Sequence, residues 1–208
     1  MPRLIPDDQV CEAYRVTRAA VLELLEGTPE TSATLSVPAC PAWTVQQTAS
    51  HFIGVVEDLL AGRMEGITSD AWTDAQVQRH SGESLAELST ALNATIIPFD
   101  ALLPMIPSPA NSQLVMDAVT HEIDLRQALG LPCADSTPAL SVAKAWLLDM
   151  AARRDQSFTD DLESAGISDL VLVRALTGRT SISEMDRQGL PGSRIAAALE
   201  GTPLRPPN

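Results

Sequence analysis

Asp117 and His121 are the two residues whose types and spacing best fit metal or acid–base chemistry. They lie four positions apart, and a helix brings side chains at this spacing together on one face. The same face carries Leu114, Ala118 and Leu125, so both ionisable groups are predicted to lie on a buried apolar stripe. Burying such groups is costly unless they are paired or bind a metal, and two interpretations therefore stay open: a buried ion pair or a metal site.

His51 offers a third ligand for the metal interpretation. It lies on another predicted helix, between Thr48 and Val55, on the side expected to face inward. In helical bundles, one helix can supply a carboxylate and a histidine while a second helix closes the site. Two imidazoles and one carboxylate leave a coordination position open, as in catalytic zinc sites. The three residues are therefore candidate ligands of a divalent metal, beside the interpretation in which Asp117 and His121 form a buried ion pair.

Helical periodicity dominates the chain and places the elements that would position these residues. We find no strand alternation of useful length. Two capping boxes mark helix starts, one formed by Thr44 and Gln47 and the other by Ser84 and Glu87. In a capping box, the side chain of each residue accepts a hydrogen bond from the backbone N–H of the other. The predicted helices cover 6–26, 45–62, a short segment at 73–79, a segment starting at 85, 109–129, 138–154, 169–176 and 193–199.

Composition excludes several classes of function. A net charge of −13 argues against nucleic acid, whose phosphates need a basic surface. We find no apolar run near the roughly 20 residues of a membrane span, and residues 1–8 lack a signal-peptide pattern. The three cysteines, an odd number without zinc-finger spacing, are predicted to be apolar core residues and not to form disulfides. The sequence thus indicates a cytoplasmic protein.

Three segments, in order along the chain, resemble one known family. They are VPACPAWTV at 37–45 leading to His51, DAVTHEIDLRQALG at 117–130, and VRALTGRTS at 173–181. Together they are similar to the mycothiol-dependent maleylpyruvate isomerase N-terminal domain family, part of the DinB-like superfamily of metal-binding bundles. The resemblance implies an all-α, DinB-like four-helix bundle with a long crossover connection at 1–135. An additional helix and a short helical C-terminal segment, at 136–208, would pack on that bundle.

The resemblance also implies a function. In the family, the histidine after the P-x-W-T motif and two residues four apart on a later helix bind the metal, usually zinc, and these match His51, Asp117 and His121. The implied activity is that of a transferase or isomerase in which the metal activates a thiol, mycothiol, as the thiolate. Asp117 stands where the family typically has glutamate, and the C-terminal region is too short for the family's strand-containing domain.

The alternatives to this function are a non-catalytic metal-binding or regulatory bundle, a metal-dependent hydrolase and, from the ligand set alone, an iron oxygenase. The expected partners are a small-molecule thiol and an electrophilic substrate, with no nucleic acid and no membrane. A homodimer is compatible with the sequence.

Further residues near these motifs have weaker predicted roles. Arg179 is a candidate for gripping a substrate carboxylate with its planar fork, against a structural role as a clamp. Asp124 is predicted to orient His121 or to pair with Arg126, so that Asp124 and Arg126 would lie just behind the metal ligands. Trp43 is predicted to close one end of the bundle. The remaining histidine, His80, is predicted to be exposed and without a partner.

Overall fold

The computed structural model describes residues 4–202 and 204 of the 208-residue chain. These residues are mostly helical, which confirms the predicted all-α fold class. The outermost parts of the two predicted regions, 1–3, 203 and 205–208, lie outside the described residues. The α-helices of the described part are α1 (Asp7–Gly27), α2 (Val45–Ala61), α3 (Asp70–Arg79), α4 (Leu85–Leu102), α5 (Ala110–Ala128), α6 (Pro138–Ala152), α7 (Gln156–Ser164), α8 (Asp169–Leu176), α9 (Ile182–Arg187) and α10 (Gly192–Leu199).

Four of these helices form a bundle. α1 packs against α4 and α5, and α2 packs against the same two helices. The connection from α2 to α4 is long and contains α3, which packs on α2. A four-helix arrangement with a long crossover is therefore present, while its relationship to DinB-like proteins stays a prediction.

The apolar stripes that drive this packing follow the helical period. The residues that recur at helical spacing along one face of α1 are all buried: Val10, Tyr14, Thr17, Val21 and Leu25. On α5, Leu114, Ala118, His121 and Leu125 are also buried, whereas Asp117 and Ala128 are partly exposed. Burying a valine or leucine side chain contributes about 1.5–3 kcal/mol, so these faces supply much of the force that assembles the bundle.

Both predicted capping boxes are confirmed. At the start of α2, the Gln47 N–H donates to Thr44 Oγ1 at 3.3 Å and the Thr44 N–H donates to Gln47 Oε1 at 2.9 Å. At the start of α4, Ser84 and Glu87 make the same reciprocal pair at 2.8 and 3.2 Å. These bonds satisfy N–H groups that have no partner inside the helix, and they fix where each helix begins.

A small β-hairpin, which was not predicted, precedes α2. Strand β1 (Ser36–Val37) pairs antiparallel with β2 (Cys40–Thr44), with Ser36 opposite Thr44 and Val37 opposite Cys40. Two strands of two and five residues, with Pro41 inside the longer one, are too short to show an alternating pattern. The hairpin matters because it leads directly into the capped start of α2.

The C-terminal helices pack on the bundle through α6. This helix lies against α5 and α1, while α7 and α8 pack on α6. The predicted helices at 138–154, 169–176 and 193–199 correspond to α6, α8 and α10, but α7 and α9 were not predicted. These two helices have only nine and six residues, each begun by one capping side chain, Asp155 or Ser181. Such short segments hold little periodic signal.

One described segment, Leu85–Met105, is long and apolar enough to cross a membrane by length and composition alone. The expectation that no such run exists was therefore wrong. One face of the segment, with Leu88, Leu92 and Phe99, is fully buried in the bundle, and core helices of soluble proteins pass the same test. Of the apolar window in this segment, 33% is buried, and one such helix is weak evidence for a membrane span.

Candidate metal centre

The structure brings together the three residues predicted as metal ligands. His51 comes from α2, and Asp117 and His121 come from successive turns of α5, which packs against α2. One ligand atom from each side chain lies within 4.8 Å of the other two. His51 Nε2 is 3.9 Å from Asp117 Oδ1, and His121 Nε2 is 3.6 Å from the same oxygen. The two nitrogens and one oxygen therefore lie close enough together to hold one ion.

These spacings are wide enough for a metal ion to lie between the three side chains. A hydrogen-bonded pair would place nitrogen and oxygen roughly 2.7–3.2 Å apart, and both distances are longer. Tetrahedral ligands at zinc bond lengths of about 2.1 Å lie about 3.4 Å from one another, a few tenths of an ångström below the two nitrogen–oxygen distances, and the ligand atoms of the two histidines lie within 4.8 Å of each other. The residues therefore fit a divalent cation, with two imidazoles and one carboxylate as its ligands.

The outer nitrogen of each histidine is also engaged. His51 Nδ1 donates to Gln76 Oε1 at 2.7 Å, and His121 Nδ1 lies 3.2 Å from Asp124 Oδ2. A histidine that ligates a metal usually donates its other ring N–H in this way, which fixes the ring and aims the ligating nitrogen. In both residues the nitrogen left for a metal is Nε2, the one that faces Asp117.

Asp124 lies beside His121, the position needed for a residue that orients this ring. Its cationic partner is Arg179 and not Arg126, which was predicted. Arg179 Nη2 donates to Asp124 Oδ2 at 2.9 Å, and Arg179 Nη1 donates to the carbonyl of Thr177 at 2.8 Å. Arg126 instead pairs with Glu122, one helical turn earlier, at 2.8 Å. The contacts of Arg179 are those of a clamp, and a grip on a substrate carboxylate stays a prediction.

The charges at the centre are strongly coupled in the metal-free protein. Burial alone would raise the pKa of Asp117, but His121 and His51 lower that pKa well below its usual value. Burial alone would lower the pKa of His121, but Asp117 and Asp124 raise it to about 9. Asp117 is therefore a carboxylate at neutral pH, and a metal at this centre must displace a proton from His121.

A cavity of about 580 Å³ opens at the centre. His51, Asp117 and His121 lie in its wall, and the Asp117 side chain is 34% exposed, whereas the two histidine side chains are nearly fully buried. The volume lies within the usual range for small-molecule sites. An ion at this centre would therefore have its open position directed towards a space that admits a small molecule.

Tryptophan is concentrated around this cavity. The chain has three tryptophans, Trp43, Trp72 and Trp146, and all three line the cavity. Trp43, at the end of β2, stacks on His121 with ring centroids 6.0 Å apart and also contacts His51 at 5.2 Å. Trp43 was predicted to close the bundle end, and the structure places it against the two candidate ligands His51 and His121, where its ring limits their movement.

His80 and two cysteines differ from their predictions. His80 is 5% exposed rather than solvated, with Nδ1 2.9 Å from Glu83 and Nε2 3.2 Å from Glu57. Cys11 is buried as predicted, but Cys40 and Cys133 are only partly buried, and all three are free thiols. Burial raises the pKa of each thiol, so none of the three is an activated nucleophile.

The chain matches no protein-family model, no curated protein and no solved structure. The resemblance to the maleylpyruvate isomerase family therefore stays a prediction, and the case for function depends on the geometry of the centre.

Proposed function

We propose that this protein is a metal-dependent enzyme that adds a small thiol to an electrophilic substrate, as a transferase or an isomerase. The observation that carries the proposal is the convergence of His51, Asp117 and His121 in the wall of a cavity large enough for a small molecule. Three protein ligands and an open position are typical of catalytic metals, whereas structural zinc usually has four protein ligands.

The charge of the ligand set favours an anionic fourth ligand. Asp117 contributes one negative charge and the two imidazoles are neutral when they ligate. A divalent ion there, for which zinc is our choice, would keep a net charge of +1 and would lower the pKa of a bound thiol to give a thiolate. The thiol is supplied by a cosubstrate, since the protein's cysteines have raised pKa values. Mycothiol is the thiol that the sequence resemblance implies.

The protein side chains prepare the cavity for both reactants. Trp43 restricts the ligand histidines, while Trp72, Trp146 and Leu147 line the space beside them. These apolar walls give a hydrolytic water few hydrogen-bonding partners, which favours attack by sulfur over hydrolysis. They also favour an electrophile with an apolar or planar body that packs on indole rings.

Addition and isomerisation share a first step. The thiol sulfur bonds to one carbon of a polarised double bond, and the electron pair of that bond moves to the activating carbonyl. In transfer, the sulfur stays and the thiol proton ends on the neighbouring carbon. In isomerisation, the sulfur leaves after rotation about the new single bond, and the double bond and thiol are restored. We propose a cytoplasmic enzyme with these small-molecule partners and without nucleic acid.

The test is a thiol-conjugation assay on purified, zinc-loaded protein. Mycothiol, glutathione and cysteine are each offered with a set of α,β-unsaturated carbonyl compounds, and loss of thiol and formation of product are followed. We expect a rate with mycothiol that exceeds those of buffer and of Asp117→Ala protein. Equal rates for the wild type, the variant and buffer would overturn the proposal in favour of a metal-binding module without turnover. Release of hydrolysis products without any thiol would instead favour a hydrolase.

A further inference from the structure

A buried chain of polar side chains leads away from His51 Nδ1, the ring nitrogen that does not face Asp117. His51, Gly54 and Asp58 lie along the face of α2 on which α3 packs. Gln76, from α3, lies between His51 and Asp58 and is fully buried. Its Oε1 accepts from His51 Nδ1 at 2.7 Å, and its Nε2 donates to Asp58 Oδ2 at 2.8 Å. The side-chain amide therefore has a partner at each end.

The direction of these bonds fixes the tautomer of His51. Asp58 is 2% exposed and accepts from Arg63 at 2.7 Å and from Arg79 at 2.6 Å. Burial would raise the pKa of Asp58, but Gln76 and the two arginines lower it, so Asp58 is a carboxylate that can only accept. The amide nitrogen of Gln76 must then point to Asp58 and its oxygen to His51. An amide oxygen only accepts, so the proton of neutral His51 lies on Nδ1.

The close contact between Gln76 and α2 also requires Gly54. A Cβ added at Gly54 would lie 2.5 Å from the Cβ of Gln76 and 3.1 Å from its Cα. Such distances are not possible without movement of α3, so only glycine at position 54 lets α3 approach α2 this closely. Gly54 thus allows Gln76 to reach a side chain one helical turn away, His51.

We infer that Gln76 is a positioning residue of the metal centre, which keeps His51 in the Nδ1–H form and leaves Nε2 available to the metal. This inference depends on the proposed metal site. It assigns the crossover helix α3 a role beyond packing, because α3 would tune the metal affinity of a bundle whose ligands all come from α2 and α5.

The experiment compares variants that remove the acceptor with one that only weakens packing. Gln76→Met keeps much of the side-chain volume without an acceptor, and Gln76→Ala removes both. Val77→Ala is the matched control, because Val77 is the neighbouring buried residue of α3 and its side chain has no atom that can form a hydrogen bond. Two readouts are taken: ring ¹⁵N chemical shifts of His51 in metal-free protein at pH 8.5, and zinc affinity by competition with a chelator.

We expect the Nδ1–H tautomer of His51 in the wild type and in Val77→Ala, and a mixture of tautomers in Gln76→Met. Zinc affinity should fall about 10–100-fold in both Gln76 variants, the usual effect of losing such a partner, and stay unchanged in Val77→Ala. An Nε2–H tautomer in the wild type, or equal zinc affinity in Gln76→Met and Val77→Ala, overturns the inference alone. A wild type with the Nδ1–H tautomer but without zinc binding overturns the metal centre, and the inference with it.

Discussion

Replacement of Arg179 by alanine tests whether this residue holds Asp124 behind the metal centre. The Arg179 and Asp124 side chains are 11% and 1% exposed, and their closest atoms are 2.9 Å apart. Removing one partner of a buried pair costs about 3–5 kcal/mol, because the remaining charge stays buried without compensation. Asp124 keeps its contact with His121 Nδ1 at 3.2 Å, so we expect the lower end, about 3 kcal/mol of unfolding free energy.

The assay is urea denaturation of chelator-treated protein, in which metal binding adds nothing to stability. Arg126→Ala is the matched control, because its i,i+4 pair with Glu122 is more exposed and should contribute about 0.5 kcal/mol or less. Arg179→Lys should recover only part of the loss, since lysine cannot bond both Asp124 and the Thr177 carbonyl with a planar fork. A cost for Arg179→Ala equal to that of Arg126→Ala would refute this reasoning.

Two further predictions concern pH and a helix start. Burial opposes the charged form of His121, but Asp117 and Asp124 raise its pKa to about 9. The contribution of this ion pair to the stability of metal-free protein is fully present below about pH 6.5 and is lost as pH rises through about 9. Without zinc, the urea midpoint should therefore fall between these pH values. A flat or rising midpoint would contradict the prediction. Thr44→Ala breaks the capping box of α2 and should lower the free energy of unfolding by about 1 kcal/mol in the same assay. The control Thr90→Ala removes an exposed hydroxyl inside α4 and should cost less. Equal costs would argue against the cap.

The sequence predicted the parts of this protein that depend on local pattern. The stripe of α1, the capping boxes and the bounds of most long helices follow from residues within one or two turns of each other. The pairing of Asp117 with His121 was visible for the same reason, since four positions along a helix place two side chains together. The hairpin at 36–44 and helices α7 and α9 were missed because each is too short to repeat a pattern.

The parts that were missed at the site join residues distant in sequence. Gln76 lies 25 positions from His51 on a short polar helix, and nothing in its own neighbourhood distinguishes it from a surface residue. Arg179 lies 55 positions from Asp124, and His80 lies 23 positions from Glu57. Polar partners of this kind are set by how helices pack, and a single sequence contains no periodic signal for them.

The central claim is a divalent metal centre formed by α2 and α5, and metal content tests it most directly. Protein is purified, supplemented with zinc and dialysed, and bound metal is measured per chain by elemental analysis. We predict one ion per wild-type chain and loss of most of it in His51→Ala, Asp117→Ala and His121→Ala. The control is His80→Ala, which removes a buried histidine that is bonded to Glu57 and Glu83 and not to the metal centre. This variant should still bind one ion per chain. Wild-type protein without metal after supplementation, or full occupancy in the three ligand variants, would contradict the account.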